Sequence, residues 1–494
     1  MAEVKDYQGT KSDLIALVIA VLTFWLFGQS MLNVGLTVGN DLGMAPALTN
    51  LAVSMGSLVC GMLIVMWGSL GDSRGRLKMV KIGLLLNIAG SLLLVFAAGA
   101  PAVAGAMVLV GRILHGLAGG AITPAALALV SSYWHGDKRA RAISYVSMGT
   151  FGGMALSSIV GGLIAGSPLT WRGIFAISAI LSVLAIFMVR NTPDVAPLAG
   201  SGKKIDMIGI VSLALAMLSL QLFITQGPSL GWTSPAALGL AALLVISIIV
   251  FIRHERTTAD PLLDFAVFKN RTFTGAVTAN FLVTTTAGMI TVALWVMQGS
   301  GQGYDATRAS YLTIGYAVCV LLFITTGEKM MKSLGYRIPM TLGATLVATA
   351  VVLLMFTNLL VSQYAIIAVI AFSLYGTGLA FFATPTTTAA LNSLSSDIVG
   401  AGSGILKMAS SLGSAIGLAV ASTVFTMFSQ DGSGSEIVGR IIEYTGEQSN
   451  LAVRQAGTIA LATLLIGAII AIIAIWFLVP SRKEQFAAEE ELES

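Results

Sequence analysis

The chain has 494 residues, 56% hydrophobic and only 10% charged, whereas an ordinary soluble domain carries about 25% charged residues. That is too little polar surface to solvate a globule of this size, so the composition predicts an integral membrane protein. The net charge of +4 is no nucleic-acid footprint, because the basic residues sit at the ends of apolar runs, and no nucleic-acid partner is expected.

A membrane helix needs about 20 apolar residues. The runs that meet this predict spans at 14–38, 49–68, 80–99, 104–131, 140–166, 171–190, 206–226, 235–252, 272–298, 308–327, 338–358, 363–391, 400–429 and 455–479, fourteen in all. No strand-like alternation of about ten residues recurs, which argues against a β-barrel. The first run is too long for a signal-peptide core and lacks a convincing cleavage site, so it is kept as span 1. An even number of spans puts both termini on one side. With the termini in the cytoplasm, only Arg172, Arg308, Arg440 and Arg454 lie outside. Arg112 and Lys407 lie within spans, and the other 21 of the 27 Lys and Arg lie inside, as the positive-inside rule requires.

Between spans 2 and 3 runs GSLGDSRGRLK, Gly68 to Lys78. Gly68, Gly71 and Gly75 permit a sharp turn and close approach, and Asp72, Arg74 and Arg76 put both signs of charge at one membrane face. Gly327–Arg337 follows span 10 in a similar way. Asn191–Lys204 reads as a linker, with Pro193 and Pro197, and Arg253–Arg271 as a charged connector; only spans 7 and 8 lie between them. The expected organisation is an N-terminal six-helix bundle at 1–190, a linker with two inserted spans at 191–271, a C-terminal six-helix bundle at 272–479 and a cytoplasmic tail at 480–494, acidic and frayed from Glu484 to Ser494. The glycine-rich spans 5 and 13 echo each other. Repeats of this kind let transporters alternate access around a midplane site. The long outside stretch 430–454 reads either as a short amphipathic element or as a solvated loop.

No catalytic domain is expected. His115, His135 and His254 show no HExxH spacing and no cysteine cluster, so no metal site is predicted. Gly202-Lys203-Lys204 is not a phosphate-binding loop: the first glycine is missing and no Ser or Thr follows the lysine. Energy must then come from an ion gradient or from the substrate's own, without a cofactor. Cys60 and Cys319 lie far apart inside spans and read as small apolar residues rather than a disulfide.

Charges inside a membrane are expensive and mark function by default. Arg112 lies in span 4, with His115 three residues on along the same helix face. His115 could switch charge near neutral pH or serve as a neutral hydrogen-bonded imidazole. Lys407 in span 13 could snorkel to the cytoplasmic side. Glu328 reads as a partner of Lys329 or Lys332, or as a protonatable gate. Trp25, Gln29 and Asn33, at i, i+4 and i+8 in span 1, offer an aromatic and two amides to an apolar cavity suited to amphipathic molecules; packing is the alternative. Gly149, Gly153, Gly161 and Gly162 give span 5 small-residue ridges for close packing or for sliding during gating.

These residues resemble the fourteen-span drug/proton antiporter branch of the major facilitator superfamily over nearly the whole chain. The Gly68–Arg76 loop matches the superfamily signature, and Arg112 with Gly116 matches the family's span 4 motif. WRGIFAIS at Trp171–Ser178 matches the start of span 6, and PLLDFAVFKNRTFTGA at Pro261–Ala276 the approach to span 9. Val21–Val34 and Leu406–Val420 are most similar to NorB-type quinolone-efflux pumps. Three positions depart from the pattern. Ser157 and Ser158 stand where a Gly-Pro step usually precedes the span 5 glycine pair. Gly28 replaces a frequent Asp in span 1, and His115 replaces the usual Gln of span 4. The second departure argues against dicationic dyes as substrates; the third adds a proton acceptor.

The resemblance implies the major facilitator fold, all-α, with two six-helix bundles plus two inserted helices. It implies a monomer in the bacterial cytoplasmic membrane that exports amphipathic drugs such as fluoroquinolones in exchange for protons. Gly68, Asp72, Arg74, Gly75, Arg76, Gly161 and Gly162 would gate or latch the bundles, with Asp72 facing the N-terminal end of span 13 near Gly400. Arg112, His115 and Glu328 would serve proton coupling. The alternatives are a physiological exporter of a lipid, siderophore or metabolite, and a non-transporting sensor or scaffold.

Overall fold

The structure is a computed structural model that describes residues 7–134, 138, 142, 145–146, 148–194, 206–258, 261–263, 265–299, 304–394, 399–431, 450–482 and 484. Among these residues there is no strand, and fourteen helices are long and apolar enough to cross a membrane. They are α1 (Lys11–Asp41), α2 (Pro46–Arg74), α3 (Arg76–Val95), α4 (Pro101–Tyr133), α5 (Met148–Ala165), α6 (Thr170–Met188), α7 (Met207–Leu230), α8 (Pro235–Glu255), α9 (Arg271–Gln298), α10 (Ala306–Leu334), α11 (Arg337–Leu354), α12 (Val361–Asn392), α13 (Val399–Asp431) and α14 (Leu451–Leu478). The loop stretch 432–449 lies outside the described residues, as do 195–205 in the linker.

Local chemistry sets the helix starts. Thr10 accepts from the Asp13 amide while Asp13 accepts from the Thr10 amide, a capping box that opens α1. Ser234 caps α8 ahead of Pro235, and Asn270 caps α9. Proline at the first helical position also opens α2 and α4, where its missing N–H costs nothing.

The chain divides into two compact units, Met1–Leu262 and Leu263–Ser494. In the first, α4 packs on α2 and α3, α3 on α6, and α5 and α6 on α1. In the second, α12 packs on α10 and α11, α11 on α14, and α13 and α14 on α9. Each unit thus has the same internal packing with helix numbers offset by eight. The inserted pair α7–α8 belongs to the first unit, where α7 lies on α2 and Gln221 donates to Ser54.

The repeat extends to details. The first helix of each unit is broken. In α1 the hydrogen-bond ladder passes through a π turn at Thr23–Phe27 and a 3-10 turn at Gly28–Ser30. In α9 it breaks between Thr285 and Gly288. Pro124 and Pro385 sit at similar depth in α4 and α12. The α2–α3 and α10–α11 turns each close on a glycine with positive φ, Gly75 at 108° and Gly335 at 77°, whose N–H bonds back to Gly71 and Met331. Arg172, at the start of α6, donates to the Ala97 carbonyl after α3 and to Asp41. Arg454, at the start of α14, donates to the Thr357 and Leu359 carbonyls after α11. Two of the four arginines expected outside therefore tie the same turn in each half.

Candidate functional site

The first unit buries a cation at its centre. Arg112 is 0% exposed, in a stretch of α4 whose other polar side chain is His115. Its Nη1 donates to the Gly28 carbonyl at 2.6 Å, Nε to Ala52 at 3.0 Å and Nη2 to Val53 at 3.3 Å. The Gly28 carbonyl lies where α1 passes from π to 3-10 turns. The space comes from Gly56: a Cβ there would fall 2.5 Å from Arg112 Nη2. The second unit has a matching notch, in which Gly315 of α10 faces Ser373 of α12. The frame is repeated and the charge is not.

His115 is also 0% exposed, but it points elsewhere. Its Nε2 lies 3.0 Å from Ser91 Oγ on α3, and its ring stacks on Phe175 of α6 at 5.5 Å between centroids. Its Nδ1 has no hydrogen-bond partner among the described residues. Arg112 thus binds α1 and α2 while His115 binds α3 and α6, so neighbouring positions on α4 serve different interfaces.

The structure does not bring Trp25, Gln29 and Asn33 onto one surface. Trp25 is half-buried and donates to Thr123 of α4 at 3.0 Å. Gln29 is buried and donates to Ser57 of α2 at 3.1 Å. Asn33 is buried and donates to the Ser158 carbonyl of α5 at 2.9 Å. An ideal helix aligns i, i+4 and i+8, but the π and 3-10 turns between residues 23 and 30 change the rotation per residue. Gly161 packs on Ser30, which itself donates to the Ser157 carbonyl at 2.8 Å. Gly149, Gly153 and Gly161 thereby seat α5 directly on α1, with Gly162 buried on the same helix.

At the α2–α3 turn, Arg74 is exposed, and Arg76 donates to Ser132 at 2.8 Å and to the Ala128 carbonyl at 3.2 Å. Gly68 lies over Pro124. The side chain of Asp72 lies outside the described residues. The carboxylate the structure does place here is Asp194, just beyond α6. It accepts from the Leu77 and Lys78 amides at 2.8 and 3.0 Å, capping the first turn of α3. A Cβ on Gly75 would collide with it, so Gly75 is required twice, by its φ and by this contact. Asp13 is the second knot of this face: it accepts from Tyr7 at 2.7 Å and from Thr192 at 2.6 Å. Burial and the Asp13 carboxylate push the Tyr7 hydroxyl up to about 12, so it stays a donor. Tyr133 donates to the Pro193 carbonyl at 2.5 Å. These contacts bind the ends of α1, α3, α4 and α6 over a shared apolar cluster that includes Leu17, Leu77 and Leu129.

The second unit has its own version. Glu484, just beyond α14, lies 3.1 Å from Arg337 at the start of α11 and accepts from the Ser481 amide, which with Arg337 holds its carboxyl below the usual range. The tail expected to fray is thus anchored at this residue. Glu328 is half-buried and pairs with Lys332 one turn on at 2.5 Å. Lys407 is half-buried within α13. Among the described residues, no group of three His, Cys, Asp or Glu could hold a metal ion.

Neither Asp194 nor Asp13 stood out in the sequence, since a single Asp in a linker or a first turn is common. Replacing Asp194 by Ala removes a helix cap and should cost about 0.5–2 kcal/mol. Asn, which still accepts a hydrogen bond, should recover much of this. Thermal unfolding in detergent reads it; equal melting of both variants and the parent would show that the cap carries no stability.

Residues 15–418 match the family model described as Major Facilitator Superfamily. The quinolone resistance protein NorB of Staphylococcus aureus (strain bovine RF122 / ET3-1) is 38% identical over 423 residues, covering 86% of this chain and 90% of that protein. NorB of strain MRSA252 is 38% identical over 425 residues, with the same coverage. Among solved structures, a D-xylose-proton symporter is similar with a TM-score of 0.63 at 16% identity, over 95% of this chain and 98% of that one. An auto-inhibited POT family peptide transporter reaches 0.65 at 15% identity, with the same coverage. At such identities these two show the fold alone.

Proposed function

Because the chain belongs to the Major Facilitator Superfamily, a transporter family of multi-pass membrane proteins, we propose that it is a proton-coupled multidrug exporter of the bacterial cytoplasmic membrane. Its substrates are amphipathic drugs, fluoroquinolones foremost. The observation that carries the substrate class is the 38% identity to quinolone resistance proteins across 86% of the chain. Both termini face the cytoplasm, a placement that the distribution of Lys and Arg supports, and no cofactor takes part beyond the proton gradient.

Export proceeds by alternating access. The Gly68–Arg76 turn latches the cytoplasmic side, with Asp194 holding the turn in shape. Arg112 couples protonation to conformation. Its charge is met only by neutral carbonyls in the hydrogen bonds described, and one of these, from Gly28, lies where the ladder of α1 is already broken. A change in the charge around Arg112 therefore acts on the least regular part of that helix. His115, whose Nδ1 has no hydrogen-bond partner among the described residues, is the proton acceptor on the same helix.

The test is fluoroquinolone accumulation in a pump-deleted bacterial host expressing the chain. Accumulation should fall with expression and return to the control level when the proton gradient is collapsed. Unchanged accumulation on expression would remove the drug assignment. Lowered accumulation that survives the collapse would remove the coupling.

A further inference from the structure

The inserted pair α7–α8 has no part in the transport reading, yet α7 carries a buried amide that reaches toward its centre. Helix α7 packs on both α8 and α2, and α8 turns Leu238, Ile246 and Val250 outward as an apolar face. The Ser212, Thr225 and Ser229 hydroxyls of α7 donate to carbonyls of their own helix. Gln221 does otherwise. It is 1% exposed, and its Nε2 donates across to Ser54 Oγ on α2, which is fully buried.

Stability does not account for this amide. Its Oε1 is buried and has no hydrogen-bond partner among the described residues, and a buried acceptor without a donor destabilises a fold. Ser54 does not need it either, because the Ser54 hydroxyl already donates to the Asn50 and Leu51 carbonyls at 3.0 and 3.2 Å. An apolar side chain of similar length would fill position 221 without the orphaned oxygen. A polar side chain kept inside a membrane against such a cost marks function.

The stretch of α2 that Gln221 grips is the one on which the Arg112 site is built. The Ala52 and Val53 carbonyls accept from Arg112, and Gly56 leaves room for its guanidinium. Ser57 and Gln29 of α1 exchange hydrogen bonds at 3.1 and 3.4 Å. Gln29 follows directly on Gly28, whose carbonyl takes the remaining Arg112 bond, and both lie in the 3-10 turn of the broken helix. Helices α1, α4 and α7 therefore all fasten within residues 52–57, fewer than two turns of α2.

We propose that Gln221 is a positioning residue of the export cycle, through which the inserted pair braces α2 beneath the Arg112 site. The inference rests on the export reading, which gives Arg112 its coupling role. Displacements pass along packed, hydrogen-bonded contacts of this kind. With α7 fastened, α2 presents the Ala52 and Val53 carbonyls and the Ser57 hydroxyl in fixed register while α1 changes shape at its break. With α7 released, that register loosens, and the least regular part of α1 loosens with it. Gln221 acts through Ser54 and touches neither drug nor Arg112.

The experiment compares the purified full-length parent with Gln221→Met, Ser54→Ala and the double variant, with Ile246→Ala on the outward face of α8 as control. Gln221→Met strands no donor and should melt at or above the parent. Amide hydrogen exchange should nevertheless quicken in its α1 peptide spanning residues 23–34 and in α2 around residues 50–57, a local opening without global loss of stability. In liposomes under a pH gradient its turnover of a fluoroquinolone should fall about tenfold with KM unchanged. Ser54→Ala should slow turnover alike, and the double variant should be no slower than either, as expected when both changes remove one shared contact. Ile246→Ala should match the parent throughout. Unchanged exchange in α1 for both single variants, a raised KM at parental turnover, or parental turnover in Gln221→Met would overturn the proposal. If the parent itself moves no drug, the export reading fails, and the exchange measurement, which needs no drug, still decides whether α7 braces α2.

Discussion

Arg112→Ala is expected to abolish transport while leaving the fold nearly as stable. Burying a guanidinium costs several kcal/mol. Three charge-assisted hydrogen bonds at about 1.5–3 kcal/mol each offset that cost. Ala52 and Val53 lie mid-helix in α2, where their carbonyls already face intrahelical amides, so truncation strands few backbone groups. What disappears is a fixed positive charge at the break in α1. Efflux should fall at least about 100-fold, the equivalent of about 2.7 kcal/mol in a rate-limiting barrier, while the melting temperature moves by a few degrees. Arg112→Lys keeps the sign of the charge, but one ammonium cannot occupy the three nitrogen positions that reach Gly28, Ala52 and Val53. Its efflux should stay at least about tenfold below the parent. Full activity in the lysine variant would mean that charge alone suffices and the fork geometry does not matter.

Gly417→Ala should have the largest effect on stability. A Cβ at Gly417 would meet the backbone of Thr285, with Thr285 Cα at 2.6 Å, and a Cβ at Gly288 would meet the Gly417 carbonyl at 2.6 Å. Both contacts are with backbone at the break in α9, so no flexible side chain can yield. Overpacking usually costs about 1–3 kcal/mol, and here the upper end or beyond is expected. The variant should melt well below the parent or fail to purify as a single species. Gly239→Ala is the control. That position on α8 meets nothing within 4 Å, and Ala exceeds Gly in helix propensity by about 1 kcal/mol, so it should melt at or above the parent. Similar melting of the two variants would contradict the close approach of α9 and α13.

Much of the architecture is legible in the sequence because the bilayer imposes it. Apolar runs of the required length and an uneven distribution of Lys and Arg are composition signals, and the fourteen helices follow from them. The echo between Gly68–Arg76 and Gly327–Arg337 was visible because both turns need glycine, and the structure shows why at Gly75 and Gly335. The breaks in α1 and α9 were not visible: nothing in TFWLFGQS announces a π turn, and the expected alignment of Trp25, Gln29 and Asn33 assumed a regular helix. Asp13 and Asp194 were missed because their partners are backbone amides and hydroxyls distant in sequence, such as the Leu77 amide and Thr192. In the sequence Arg172 and Arg454 are only topology markers; their hydrogen bonds to turn carbonyls depend on packing that no local pattern encodes.

The central claim, drug export driven by protons, is tested most directly with purified protein in sealed liposomes loaded with a fluoroquinolone, under an imposed pH gradient and no other energy source. Drug movement against its own gradient should occur when the gradient is imposed, stop when an ionophore collapses it, and be absent with Arg112→Ala. Movement at an equal rate with and without the gradient would contradict the account.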